Sequence, residues 1–166
     1  MLNDSKKIEE LLLKQLKHLK SLIDSAELKK IAIINNKVDE MEKIAKSESY
    51  IIAQIKEIEE SRLHLIDEMS TEEFPLKNMK LEEIANCFEK DSANKILKLQ
   101  KAIKTLVNDL QTRNKRNGDL LLYAIDHFNS FFQTLFAHQN PPNIYTPKGM
   151  QNAEVVSGNM FFDKRA

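Results

Sequence analysis

The sequence predicts an all-α fold: an elongated antiparallel helical bundle or coiled coil of three long helices plus one short helix, followed by a flexible C-terminal tail. Three observations carry that expectation. The first 74 residues contain neither Gly nor Pro, and residues 76–140 contain only Gly118. Because Pro breaks helices and Gly weakens them, their absence permits very long ones. Apolar residues recur in alternating steps of three and four, which is coiled-coil geometry. Five of the seven breakers collect at the end: Pro141, Pro142, Pro147, Gly149 and Gly158 all fall after Asn140. This divides the chain into a helical bundle domain, 1–139, and a Pro/Gly-containing tail, 140–166.

The first helix is expected at about 4–34. Ile8, Leu12, Leu19, Leu22 and Ala26 form its seam, flanked by Leu11, Leu16 and Ile23. Asn35-Asn36 is the only plausible stop before the next seam, since Asn suits caps and turns. The second helix is expected at about 37–69, on Met41, Ile44, Ile51, Ile55, Ile58, Leu65 and Met69, with Glu48 and Arg62 in its two polar gaps. Ser70-Thr71 offer N-cap chemistry and Pro75 ends any continuation. LEEIANCF, 81–88, reads as a short amphipathic helix. Asp91-Ser92 can cap a last helix of about 92–138, roughly 70 Å long at 1.5 Å per residue. Its seam runs Ile96, Leu99, Ile103, Leu106, Leu110, then resumes with Leu121, Ala124, Phe128, Phe131 and Leu135 after a polar interval. That interval puts Asn114, Asn117 and Gly118 where apolar residues are expected. Two readings stand side by side. A buried Asn fixes register at a cost in stability, and Gly118 allows close approach or a bend. Alternatively the helix projects beyond its partners there and the seam is solvated.

Lys and Arg number 25, as do Asp and Glu, so net charge is zero, but it is unevenly spread. Residues 1–74 hold 12 cations against 16 anions, a net −4, and residues 75–166 hold 13 against 9, a net +4. Acidic helices packed beside a basic one account for this. So does a basic surface at 95–116, which holds seven Lys or Arg and one Asp and could attract an acidic partner or nucleic acid. That stretch has no interleaved aromatics and no nucleic-acid motif beside it. A solvated, partly paired helix face is the expectation, with no nucleic acid as partner. No run approaches a membrane span. MLNDSKKIEELLLKQLKHLK interleaves charge with leucine at every turn, so no signal peptide is expected. Cys87 is the single cysteine, which favours a reducing cytoplasm.

Residues that carry chemistry are present but not clustered. None of His18, His64, His127 and His138 follows a Glu or Asp by three residues, so the Glu-x-x-His pattern of di-iron bundles is missing. There is no second Cys for a zinc pair and no Gly-rich phosphate loop. The expectation is a protein that is not an enzyme, with no cofactor and no metal. Binding remains. Helical bundles bind through an apolar groove that accepts an amphipathic helix, or through a tail that orders on contact. LLLYAIDHFNSFFQTLF, 120–136, carries more apolar surface than one seam can bury, so it either faces two neighbours or is exposed for a partner.

With those residues in place the chain resembles the FlgN family of flagellar type III export chaperones. The resemblance covers the whole length. It rests on Glu59-Glu60-Ser61-Arg62 in the second helix and on an Asn-x-x-Asn-x-x-x-Leu-Leu run made by Asn114, Asn117, Leu121 and Leu122. It continues in Tyr145 and Gly149 of IYTPKG and in the terminal Asp163-Lys164-Arg165-Ala166. Tyr145-Thr146 departs from the family's common Tyr-Gly. The resemblance implies a cytoplasmic chaperone that holds the C-terminal helical region of the hook-associated proteins FlgK and FlgL. It would deliver them to the flagellar export gate, touching the membrane export apparatus only peripherally. Carried onto this chain, the client-binding residues are Asn114, Asn117, Leu121, Leu122, Phe128, Phe131 and Phe132, and the gate-docking residues are Tyr145 and Gly149. The alternative is a structural or adaptor coiled coil that self-associates through the same seams. Weaker still is nucleic-acid binding through 95–116, which predicts a steep salt dependence.

Overall fold

The computed structural model describes residues 2–71, 76 and 79–136, and the tail expected at 140–166 lies outside them. Four helices follow in order: α1 (Leu2–Ile34), α2 (Val38–Met69), α3 (Leu81–Ala85) and α4 (Lys90–Phe136). Three are long and one is short, as the breaker pattern predicts.

The turn between α1 and α2 shows how the chain reverses without glycine. Asn36 takes φ 58°, the left-handed conformation that Asn tolerates best after Gly. Its N–H donates to the Ile33 carbonyl at 3.1 Å, and the Lys37 N–H reaches back to the Ala32 carbonyl at 2.9 Å. This is a Schellman closure, and it satisfies carbonyls that a helix end leaves orphaned. The Asn35 side chain donates to the Ile31 carbonyl as well, at 2.9 Å. The reversal makes α1 and α2 antiparallel, and Lys29 and Glu48 pair across them.

The next helix ends on a cap of another kind. Ser70 is the C-cap of α2 and not the start of a new helix, and its Oγ accepts the Leu76 N–H at 3.0 Å. In α3 the Glu83 carboxylate accepts the Lys80 N–H at 2.7 Å, which fastens the first turn. This helix stops at Ala85, short of the expected Phe88, and Asn86 to Phe88 form turns. The last helix starts at Lys90, so Asp91 sits inside the first turn, where it favours the helix dipole. Neither Asp91 nor Ser92 occupies the cap position expected of it. Instead the Ser92 hydroxyl accepts from Ser5 of α1 at 3.3 Å.

That contact and the one from Asn117 to Ala26 fix the direction of α4. Its start lies beside the start of α1 and its later part beside the end of α1, so the two run parallel in an up-down-up order. The middle of the layer is α1, with α2 and α4 packed against it, and α3 lies on α4. The burial pattern follows. The whole predicted seam of α1 is buried, from Ile8 through Ala26. Of the α2 seam only Ile55 and Leu65 are buried, and Met41, Ile44, Ile51, Ile58 and Met69 are half-buried. In α4, Ile96 and Ile103 are buried, whereas Leu99, Leu106 and Leu110 are half-buried. A helix flanked on two sides buries its stripe completely, and one flanked on a single side cannot. A second, small cluster of Ile66, Leu76 and Ile84 closes the end where α2 meets α3.

Candidate functional site

The polar interval of α4 separates a packed half from an exposed half. The side chain of Asn117 is buried and donates its Nδ2 to the Ala26 carbonyl at 2.8 Å. Of the two readings of this interval, the buried register-fixing Asn holds for Asn117. Asn114 is exposed. At Gly118 the helix runs on unbroken, and an added Cβ would meet nothing within 4 Å. The close approach or bend that Gly118 could allow is therefore not used. An exposed mid-helix glycine costs backbone entropy and returns no packing. Gly118→Ala is expected to raise the unfolding free energy by about 0.5–1 kcal/mol, read from the urea midpoint at constant m value.

An ion-pair network fastens the same level of the bundle. Arg113 donates to both carboxylate oxygens of Asp109, at 3.0 and 3.1 Å, and reaches Glu27 of α1 at 3.1 Å. Lys30 adds a further bond to Glu27 at 2.9 Å. The Lys30 hydrogen bond, then its charge, and the charge of Arg113 hold the Glu27 carboxyl below the ordinary glutamate value. Together with the Lys104–Glu82 pair at 3.0 Å, this leaves the basic stretch 95–116 as a partly paired helix face, with Lys95, Lys98 and Lys101 exposed.

Beyond Asn117 the seam continues toward the end of α1 and then past it. Asn117 lies level with Ala26, and α1 ends eight residues later at Ile34. The facing stretch of α4 therefore runs out near Ile125. Leu121, Ile125, Phe128 and Phe132 extend the stripe of Ile96, Ile103 and Asn117, and Leu122 and Phe131 widen it to roughly half the helix circumference at 3.6 residues per turn. Leu121 is 38% exposed, Phe128 55% and Phe131 53%, and Leu122 is exposed as well. Phe132 is half-buried; its ring lies tilted at 44° to that of Phe128 with centroids 4.5 Å apart and meets Phe131 edge-on at 6.4 Å. Of the two alternatives for this segment, burial between neighbours and exposure, the structure shows exposure.

All seven expected client-binding residues thus lie on one end of one helix. Five of them, Leu121, Leu122, Phe128, Phe131 and Phe132, form the apolar stripe. Asn114 stands at its edge and Asn117 turns inward at its base. Tyr145 and Gly149 lie outside the described residues. Sequence reasoning missed Ile34 and Val38, which are exposed at the α1–α2 tip, at the same end of the bundle as the stripe. Their signal was available in IAIINNKV, where aliphatic residues crowd a turn that a soluble hairpin would ordinarily make polar.

The described residues include no group of three or more His, Cys, Asp or Glu able to hold a metal ion. No described helix is long and apolar enough to cross a membrane. Residues 1–153 match the family described as FlgN protein. The chain belongs to the FlgN family. No curated protein and no solved structure matches it. FlgN proteins are flagellar export chaperones and not enzymes, and they bind flagellar hook-associated proteins. Within that family role, the later part of α4 presents exposed Leu121, Leu122, Phe128 and Phe131 on one face of the helix.

Proposed function

We propose that this FlgN-family chain is a cytoplasmic chaperone of FlgK- and FlgL-like hook–filament junction proteins, and that it brings them to the flagellar type III export gate. The observation that carries the reading is the seam of α4 running on past the end of α1, with Leu121, Leu122, Phe128 and Phe131 exposed. A client helix laid along this stripe restores the missing neighbour. It buries apolar residues at the same three-and-four spacing that holds α1 to α4. Asn114 borders the client, and Asn117 keeps the base of the stripe in register with α1. A one-sided stripe suits a client that must be given up for secretion, because it forms no deep enclosing interface. Tyr145 and Gly149, in the segment that follows α4, are the residues that dock at the gate.

The test is Leu121→Asp combined with Phe128→Asp in the full chain. Phe128 projects from the overhang and Leu121 is exposed beside the last turns of α1, so helicity by circular dichroism should be unchanged. Affinity for purified FlgK- or FlgL-like protein should fall at least tenfold, about 1.4 kcal/mol or more. Undiminished binding by a fully helical variant refutes the proposed surface. The self-associating alternative uses the same stripe, and light scattering separates the two: a chaperone is expected to change mass only when its client is added.

A further inference from the structure

The first half of α4 presents a second surface, and its chemistry is charge. Lys98, Lys101, Thr105, Asn108, Thr112 and Lys115 recur in steps of three and four, so they share one face of the helix, turned away from buried Ile96 and Ile103. All six are exposed, and so are Lys95 and Arg116 at the two ends of the row. Among the described residues Lys95, Lys98, Lys101, Lys115 and Arg116 make no ion pair. Between Asp91 and Asp119 the helix holds a single acid, Asp109, and Arg113 takes it. A cationic row free of acids therefore runs about 32 Å, from Lys95 to Arg116 at 1.5 Å per residue. The balance on α2 is the reverse: nine Asp or Glu against four Lys or Arg.

Such a row fits an anionic partner, and its composition selects among anions. Protein interfaces have an apolar core, and this face offers only Lys, Arg, Thr and Asn. Nucleic acids are held by arginine forks and by bases stacked on aromatic rings, and the row has one arginine and no aromatic. A bilayer rich in anionic headgroups needs neither, since it attracts lysine-rich segments by charge alone. We propose that this face of α4 docks on an anionic lipid surface. The lysines then lie against the headgroups, and the acidic α2 is repelled from them, which orients the bundle on the membrane. Leu121 and Phe128 fall about half a turn round the helix from the lysine row. A docked protein therefore keeps both open to a client, although the lipid contact does not itself rest on the client reading.

The test is flotation of the full chain with vesicles of phosphatidylglycerol and phosphatidylcholine, and with vesicles of phosphatidylcholine alone. The chain should float with the anionic vesicles at low salt, leave them as salt rises, and stay off the neutral ones. Lys98→Glu combined with Lys101→Glu should weaken anionic binding at least about 25-fold, at about fivefold per lysine lost, with helicity by circular dichroism unchanged. Lys43→Glu combined with Lys56→Glu on α2 changes net charge equally, and away from the row it should weaken binding less than about fivefold. Equal losses from the two pairs would assign the effect to whole-molecule charge and overturn the proposal. So would a chain that stays off the anionic vesicles or floats equally well with the neutral ones. Duplex DNA that strips the chain from anionic vesicles at equal phosphate concentration would give the row to nucleic acid instead.

Discussion

Replacing Glu59 by alanine is expected to lower the stability of the bundle by about 3 kcal/mol, the low end of the range for stranding a buried charge. The reason lies in the partner. Arg62 occupies a seam position of α2 between Ile58 and Leu65, and its side chain is 5% exposed. A buried guanidinium must be compensated by acceptors. Glu59, one turn earlier, supplies both: Nε donates to Oε2 at 3.2 Å, and Nη2 donates to Oε1 in a close second bond. Glu59 itself is 32% exposed, so water reaching from its side moderates the loss. The melting temperature by circular dichroism should drop roughly 6–12 °C for that energy in a chain of this size. Arg62→Leu distinguishes a stranded charge from a merely useful pair. It removes the charge and keeps the volume apolar, so it should be nearly neutral or stabilising. If Arg62→Leu costs as much as Glu59→Ala, the pair contributes binding energy of its own and the argument from desolvation is wrong.

Arg62 also marks where the sequence was legible and where it was not. The three-and-four spacing and the absence of breakers gave every long helix to within about two residues at each described end, because those signals are local. How completely each seam is buried is not a local property. Met41 and Ile44 have the spacing of core residues as clearly as Leu12 and Leu19 do, yet only the latter are buried, since only α1 lies between two long helices. Nor could spacing choose between the two readings of 114–118. The choice depended on where α1 ends relative to α4, and so on the tertiary register. Ser70 and Ser92 were misassigned for a related reason: a hydroxyl can cap a helix start, close a helix end or bond a neighbouring helix, and local sequence does not rank these. For the site, the apolar excess of 120–136 was plain in composition. Its exposure became plain only when the register of α4 against α1 was known.

That register raises a problem which the second large expected effect addresses. A short turn fixes the alignment of α1 and α2, but α1 and α4 run parallel and are joined only through everything between them. An apolar seam alone tolerates sliding by a heptad, because each layer resembles the next. Polar residues within the seam distinguish the layers: Ser5 against Ser92 at one end, Asn117 against the Ala26 backbone at the other, and the buried Gln15 and Gln100 between them. Gln100 is the costly member. It is 5% exposed, and among the described residues its Nε2 has no hydrogen-bond partner. Leaving a buried donor unsatisfied costs about 1–3 kcal/mol. Gln100→Leu, which keeps the volume and removes the amide, is therefore expected to stabilise the protein by about 2 kcal/mol. Gln100→Ala, which removes the amide but leaves a void, should instead be destabilising. The opposite signs separate an unsatisfied amide from a mere change of packing, and both are read from denaturant midpoints. If Gln100→Leu destabilises, the amide has a partner and the polar layer contributes stability directly. If it stabilises, the layer is retained at a cost, as seam polar residues are when they hold one alignment against others. Alignment also decides which apolar residues of α4 stay exposed: sliding α4 by one heptad would carry two turns of the stripe either under α1 or away from it.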